Sequence, residues 1–229
     1  MDKDLRNPQL SALHVWLNEN IRGYVALCEA GSATSGDPWH EGISDRDITI
    51  VVEKLDQQLE AKLQDHLAVA GFNDTYLFIV FSKTDFLSTT SGQDLSSKFR
   101  GLTLFGEDVV AQKELPSREF AADFAMKGLG GMARKFHTRL MNSGYWSNEH
   151  LKKKLYPEFK RLFVYLGAQH YADTGDYPRN RMAVARAIDA GELLEIAELL
   201  VKYPSASKGE VISATKSAIA YLDRCKLLQ

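Results

Sequence analysis

The chain has 229 residues, of which 45% are hydrophobic and 25% are charged, and its formal net charge is −2. This length and composition suit one large or two small globular domains, and the near-neutral charge gives no sign of a nucleic-acid or membrane-surface binder. No run approaches the roughly 18 apolar residues of a membrane helix. The first ten residues lack the apolar segment of a secretory signal, and Cys28 and Cys225 suit two reduced thiols, so we expect a cytoplasmic protein.

Apolar spacing in the first half predicts alternating helices and strands. Asn7-Pro8 has the form of a helix cap followed by proline at the first helical position. Leucines then recur at helical spacing, and a second leucine stripe ends at Gly71, a residue suited to a left-handed helix end. The predicted order is helix, strand, strand, helix, strand, at residues 8–21, 24–30, 48–52, 55–70 and 75–81.

The second half has helical patterns alone, because no strand pattern follows residue 115. Gly130-Gly131 marks a point of low helix propensity within the first of these helices. The apolar stripes of the four predicted helices cover residues 124–140, 151–166, 182–201 and 211–222. We therefore predict an N-terminal α+β domain at residues 1–115 and a C-terminal helical bundle domain at residues 116–229.

The segment between the first two predicted strands contains the candidate metal-binding and phosphate-binding residues. Gly31-Ser32 ends one strand, and Asp45 and Asp47 open the next after a polar loop. Alternate strand residues share a side, so the two carboxylates repel each other unless a cation lies between them. Mg²⁺ suits such oxygens and takes further ligands from substrate phosphates, which the backbone of Gly31 and the hydroxyl of Ser32 can approach and bind. The alternative is that the aspartates cap a loop.

This pattern resembles the signature of the DNA polymerase β-like nucleotidyltransferase superfamily. The matching residues are Ala30-Gly31-Ser32 and Asp45-Arg46-Asp47, and Gly36 and Ser44 also stand at their usual places. Two further stretches resemble bacterial antibiotic adenylyltransferases of the streptomycin/spectinomycin type. They are LTLFGEDV at 102–109, similar to a Leu-x-Gly turn, and residues 156–185 with Thr174-Gly175 and Pro178-Arg179, similar to the helical domain.

The resemblance implies a mixed sheet with flanking helices, followed by a helical bundle. It also implies a two-metal Mg²⁺ site that transfers AMP from ATP to a hydroxyl of a small, antibiotic-like acceptor. Asp45 and Asp47 would be the catalytic metal ligands, and Gly31 and Ser32 would bind the nucleotide.

Two features depart from the family pattern. Family members usually have a third carboxylate on the next strand, but TYLFIVF at 75–81 contains no acid. The nearest in-phase acid is Asp74, which is either the third catalytic acid or part of a plain turn. The loop also lacks the arginine that commonly follows Gly-Ser, so the triphosphate needs other cations. The candidates are Lys83, Lys98, Arg100, Lys160 and Arg179, of which Lys160 and Arg179 rank first because they lie in the matching helical stretch.

Three more residues carry expectations. Glu29 falls within a buried strand, where an unpaired carboxylate is costly, so we expect it to pair with Arg46. We expect His40 to be a solvent-exposed loop residue and Trp39 to pin the loop.

The expected partners are a nucleoside triphosphate and a small-molecule acceptor, with no membrane and no nucleic acid. A homodimer is left open, because a neighbouring subunit could supply the missing group. The alternative function is a non-catalytic or regulatory nucleotide-binding member that lacks the third carboxylate. A transferase acting on a protein or RNA is a third hypothesis, and the near-neutral charge argues against RNA.

Overall fold

The chain divides into two compact units, each of which is described separately. The first comprises Met1–Ser35 and Ser44–Leu115, and the second comprises Gly36–Ile43 and Pro116–Gln229. The structure, a computed structural model, describes these parts of the chain: residues 7–40, 42–88 and 92–226.

The first unit is a mixed α+β structure. Its described elements are α1 (Pro8–Asn20), β1 (Tyr24–Ala30), α2 (Ser32–Ser35), β2 (Arg46–Val52), α3 (Gln57–Val69), β3 (Tyr76–Ser82), α4 (Lys83–Leu87), α5 (Gly92–Arg100), β4 (Leu102–Gly106) and α6 (Val109–Gln112). In this described part, four strands form one sheet in the order β3-β2-β1-β4. Strand β1 is antiparallel to both of its neighbours, and β2 is parallel to β3.

The sequence-predicted helices and strands of this unit are confirmed, with small shifts at their ends. The Asn7 side chain caps α1 by accepting hydrogen bonds from the N–H groups of Gln9 and Leu10. Helix α3 begins later than predicted because Asp56 caps it, and Leu55 therefore lies outside the helix and is 40% exposed.

Strand β4 and the short helices α2, α4, α5 and α6 were not predicted. Residues Leu102–Gly106, which were interpreted as part of a turn, form an edge strand of the described sheet and pair with β1. Gly106 ends this strand with a φ of +86°, and a Cβ there would overlap the carbonyl oxygen of Val25. Glycine is therefore required at this position, both for its left-handed backbone and for the close contact with β1.

Helices pack against both faces of the sheet. On one face, α1 and α3 bury leucines such as Leu13 and Leu63 against Ile48 and Ile50 of β2. On the other face, residues of α4 and α6 pack with Val51. The alternation along β2 thus assigns neighbouring residues to two separate cores.

The second unit is helical throughout its described residues. Its elements are α7 (Arg118–Asn142), α8 (Asn148–Thr174), α9 (Arg181–Ile188), α10 (Gly191–Val201), a 3-10 turn (Tyr203–Ser205) and α11 (Lys208–Lys226). The interpretation of residues 182–201 as one helix is wrong. Asp189 adopts a left-handed φ of 54°, and its N–H returns to the carbonyls of Ala185 and Arg186, which ends α9.

Glycine allows α7 and α8 to approach closely at one point. A Cβ at Gly128 would overlap the ring of Tyr165 on α8, whereas a Cβ at Gly130 or Gly131 would meet nothing within 4 Å. Helix α7 continues through Gly130 and Gly131, so the low helix propensity of this pair does not interrupt it.

These two environments predict opposite effects of alanine in the same helix. Gly130→Ala should stabilise the protein by about 0.5–1 kcal/mol, because alanine loses less backbone entropy on folding. Gly128→Ala gains the same helix propensity but should destabilise the protein by about 1 kcal/mol or more, because Tyr165 must move. Urea denaturation followed by circular dichroism measures both changes. Equal stabilisation by both variants would contradict the close approach.

Candidate functional site

Gly31 and Asp47 meet where β1 ends and β2 begins. Ala30 pairs with Asp47 across the two antiparallel strands. Gly31 follows with a φ of +85°, and a Cβ at this position would lie 2.9 Å from Oδ2 of Asp47. Glycine is favoured here for two reasons, its left-handed backbone and the space it leaves beside a carboxylate. The Gly-Ser turn and the second aspartate of the motif are thus brought together.

The turn after Gly31 is closed by local hydrogen bonds. Ser32 is buried and begins α2, and the N–H groups of Thr34 and Ser35 donate to the carbonyl oxygen of Gly31. The Thr34 hydroxyl contacts that same carbonyl at 3.2 Å and also donates to the carbonyl of Arg100. The turn is therefore fixed to the end of α5.

Asp45 and Asp47 stand at the first residues of β2. Asp45 is exposed and directly precedes the strand, while Asp47 is half-buried as its second residue. The N–H of Arg46 donates to the carbonyl of Thr75 at 2.6 Å. The first residue of β2 is therefore hydrogen-bonded to the residue that directly precedes β3. Strand alternation assigns the two aspartates to one side and Arg46 to the other.

The strand position nearest the motif holds no third acid. Leu77 of β3 is the register partner of Asp47 and therefore shares its face, and it is 48% exposed. Asp74 lies three residues earlier, exposed and outside the strand. The Asn73 side chain accepts a hydrogen bond from the N–H of Thr75, which closes a turn around Asp74.

Glu29 and Arg46 form the expected ion pair on the opposite face of the sheet. The Nε of Arg46 lies 2.6 Å from Oε1 of Glu29, and their side chains are 17% and 6% exposed. The guanidinium also lies over the ring of Tyr76, 5.5 Å from its centroid. The hydrogen bond to Glu29 raises the pKa of Arg46 above its usual value.

The candidate cations of the first unit are engaged or buried. Lys83 pairs with Glu107 at 2.7 Å, and Lys98 donates to the carbonyl of Ala111 at 3.1 Å. Arg100 is buried beside the Gly-Ser turn, where its carbonyl accepts the Thr34 hydroxyl.

The two cations ranked first by sequence belong to the second unit. The Nζ of Lys160 lies 5.5 Å from the centre of the Tyr156 ring. Arg179 is exposed just before α9.

The loop that joins Gly31-Ser32 to Asp45 belongs to the helical unit over Gly36–Ile43. The sequence did not indicate this. Asp37 accepts a hydrogen bond from the backbone N–H of Arg181 at 2.9 Å, and the Nε of Arg181 lies 3.7 Å from the Asp37 carboxylate.

His40 was expected to be solvent-exposed, and that expectation is wrong. His40 is 9% exposed, and its Nε2 lies 2.7 Å from the carbonyl oxygen of Leu200. Trp39 is 39% exposed.

The donor set at the motif suits a hard cation that keeps some of its water. Within residues 7–40, 42–88 and 92–226, no group of three or more His, Cys, Asp or Glu side chains is placed to hold a metal ion. Asp45 and Asp47 supply carboxylate oxygens, and the Asp47 carboxylate lies so close to Gly31 that a Cβ there would be 2.9 Å from its Oδ2. Mg²⁺ is typically bound by one or two carboxylates together with water and phosphate oxygens, so these residues fit it.

No family model matches the chain, and a search of curated proteins finds no match either. The resemblance to nucleotidyltransferases therefore depends on the motif and the similar stretches identified in the sequence. In the part of the chain that the structure describes, no helix combines the length and apolar character needed to cross a membrane.

Removing the cation from the buried pair should destabilise the first unit. Arg46→Met leaves the Glu29 carboxylate buried and should cost about 3 kcal/mol at pH 7. The double variant Glu29→Gln/Arg46→Met should recover much of that loss, because no charge remains buried. Chemical denaturation of the single and double variants measures the coupling. An equal loss of stability in the single and double variants would show that lost packing, and not the uncompensated Glu29 charge, causes the destabilisation.

Proposed function

We propose that the chain is a Mg²⁺-dependent nucleotidyltransferase that transfers AMP from ATP to a hydroxyl of a small acceptor. The observation that supports this most directly is the close approach of the Gly31-Ser32 turn to the second aspartate of the motif, since a Cβ on residue 31 would lie 2.9 Å from Oδ2 of Asp47. Backbone N–H groups of a glycine turn can bind phosphate oxygens, and a carboxylate beside them can bind the metal that accompanies a phosphate.

Each residue of the motif has a distinct task in this proposal. Asp45 and Asp47 hold the metal, and the Ser32 hydroxyl with the neighbouring backbone N–H groups binds phosphate oxygens. When bound, Mg²⁺ neutralises charge on the triphosphate and orients it. The acceptor oxygen bonds to the α-phosphorus, the bond to the β-phosphate oxygen breaks, and pyrophosphate leaves. Asp74 is the candidate to accept the hydroxyl proton.

A second function is favoured by Leu77. This leucine occupies the β3 position beside Asp47, on the face where an additional acid would complete a three-carboxylate site. A protein that binds a nucleotide through two aspartates but does not turn it over would have this composition. The alternative is therefore a regulatory nucleotide-binding protein.

Calorimetric titration with a non-hydrolysable ATP analogue, with and without Mg²⁺, tests the shared nucleotide site. Binding should require Mg²⁺ and should weaken at least about tenfold in Asp45→Asn/Asp47→Asn, since the metal loses its charged ligands. The control is Glu60→Gln/Asp65→Asn, which removes two exposed acids of α3 and should bind like wild type. Failure of the wild type to bind any of the four nucleoside triphosphates would overturn both functions.

Pyrophosphate release with a panel of hydroxylated acceptors separates catalysis from regulation. The enzyme proposal expects release by wild type that depends on an acceptor and is lost in Asp45→Asn/Asp47→Asn. Leu77→Asp places an acid beside Asp47 at a half-exposed position and should raise the rate if a missing carboxylate limits turnover. Nucleotide binding without release in either wild type or Leu77→Asp would favour the regulatory alternative.

A further inference from the structure

Three cations surround one buried carboxylate between α7 and α8 in the helical unit. Glu158 of α8 is 4% exposed. Its Oε2 lies 3.8 Å from Nζ of Lys135 and 3.5 Å from Nη1 of Arg161, and its Oε1 lies 3.6 Å from Nη2 of Arg139. We define these three cations and Glu158 as the α7–α8 cluster.

The charges of the α7–α8 cluster do not balance. One cation would compensate the Glu158 carboxylate, and three leave an excess of two positive charges. None of the three comes within the usual 2.7–2.9 Å of a charge-assisted hydrogen bond, so their donors are only weakly engaged. The Nε of Arg139 is buried and has no hydrogen-bond partner among the described residues. A buried donor without an acceptor is unfavourable, and a bound oxyanion would remove that cost.

The cluster is also open to solvent on its cationic side. The side chains of Lys135 and Arg161 are 46% and 55% exposed, whereas the Glu158 side chain beneath them is 6% exposed. Lys154 is exposed one helical turn before Glu158 and extends the positive character of this face. An anion arriving from solvent therefore meets the cations before the carboxylate.

We propose that the α7–α8 cluster is a binding site for a phosphate group, which Lys135, Arg139 and Arg161 bind in competition with their attraction to Glu158. Two arginines and a lysine match the tetrahedral oxygens of a phosphate, because guanidinium groups offer paired donors and the ammonium group is a mobile point charge. The site needs no metal and does not depend on the function proposed for the aspartate motif. The phosphate can belong to a free polyphosphate or to the backbone of a nucleic acid, and these share the same chemistry.

The test is calorimetric titration with inorganic pyrophosphate at low ionic strength in the presence of EDTA. EDTA removes Mg²⁺, so the proposed nucleotide site does not contribute to the signal. Lys135→Met/Arg161→Met should weaken binding at least about tenfold, because two charged donors are lost. This variant keeps Arg139 as the partner of Glu158, which preserves the buried carboxylate's compensation.

A substitution of the acid gives the opposite expectation. Glu158→Gln removes the negative charge and should tighten pyrophosphate binding by roughly fivefold, because the cations no longer share their attraction with a carboxylate. The matched control is Lys127→Met/Arg134→Met, which removes two exposed cations of α7 outside the cluster and should bind like wild type. Circular dichroism of each variant establishes that it is folded before titration.

Three outcomes would overturn the proposal: no binding by the wild type, equal weakening by the control, or weaker binding by folded Glu158→Gln. Any of these would leave the three cations as structural partners of a buried acid. A parallel titration with a short oligothymidylate distinguishes the sources of phosphate. Tight binding of the oligonucleotide with weak pyrophosphate binding would indicate a backbone phosphate, and the reverse would indicate a free polyphosphate.

Discussion

The antiparallel pairing of Ala30 with Asp47 is the constraint on which the candidate site depends. Because β1 and β2 run in opposite directions, the chain leaves the sheet at Gly31 and returns at Asp45, next to the point where it left. Strand hydrogen bonds hold both ends of the loop between them. This arrangement keeps the backbone of a glycine against a carboxylate, a contact that any side chain at position 31 would disturb.

The buried ion pair on the other face of the sheet gives that pairing its register. A slip of one residue in β2 would turn Arg46 toward the side of Asp47 and leave Glu29 buried without its partner. Such a slip would also exchange the residues that face α1 and α3 with those that face α4 and α6. Charge and apolar burial therefore specify the same register, and the aspartates keep their side of the strand as a result. Asp37 and Arg181 hold the loop to the helical unit by a comparable buried contact.

Much of the local structure could be predicted from sequence, because caps and apolar periodicity act over a few residues. The cap at Asn7, the limits of β1 and the Glu29–Arg46 pair follow from such signals. Strand β4 was missed because residues 102–109 were interpreted as a turn by their resemblance to a Leu-x-Gly motif. The break at Asp189 was missed because a left-handed aspartate inside an apolar stripe leaves no mark on the period.

The environment of the loop was harder to predict than its ends. The burial of His40 depends on a carbonyl that lies 160 residues away in the chain, and no local pattern encodes that partner. The same holds for Asp37 and Arg181. By contrast, the absence of an acid on β3 was visible in the sequence, and the register then identified Leu77 as the residue beside Asp47.

The assignment of Gly36–Ile43 to the helical unit has a consequence for how this protein can be divided. The chain passes from one unit to the other after Ser35, after Ile43 and after Leu115, so no single cut separates them. A fragment that ends at Leu115 would carry a loop whose buried Asp37 and His40 had lost their partners. Recombination that exchanged the helical unit for another would have to exchange an internal octapeptide as well. The two units are therefore expected to be inherited together, with changes in the loop matched by changes around Arg181.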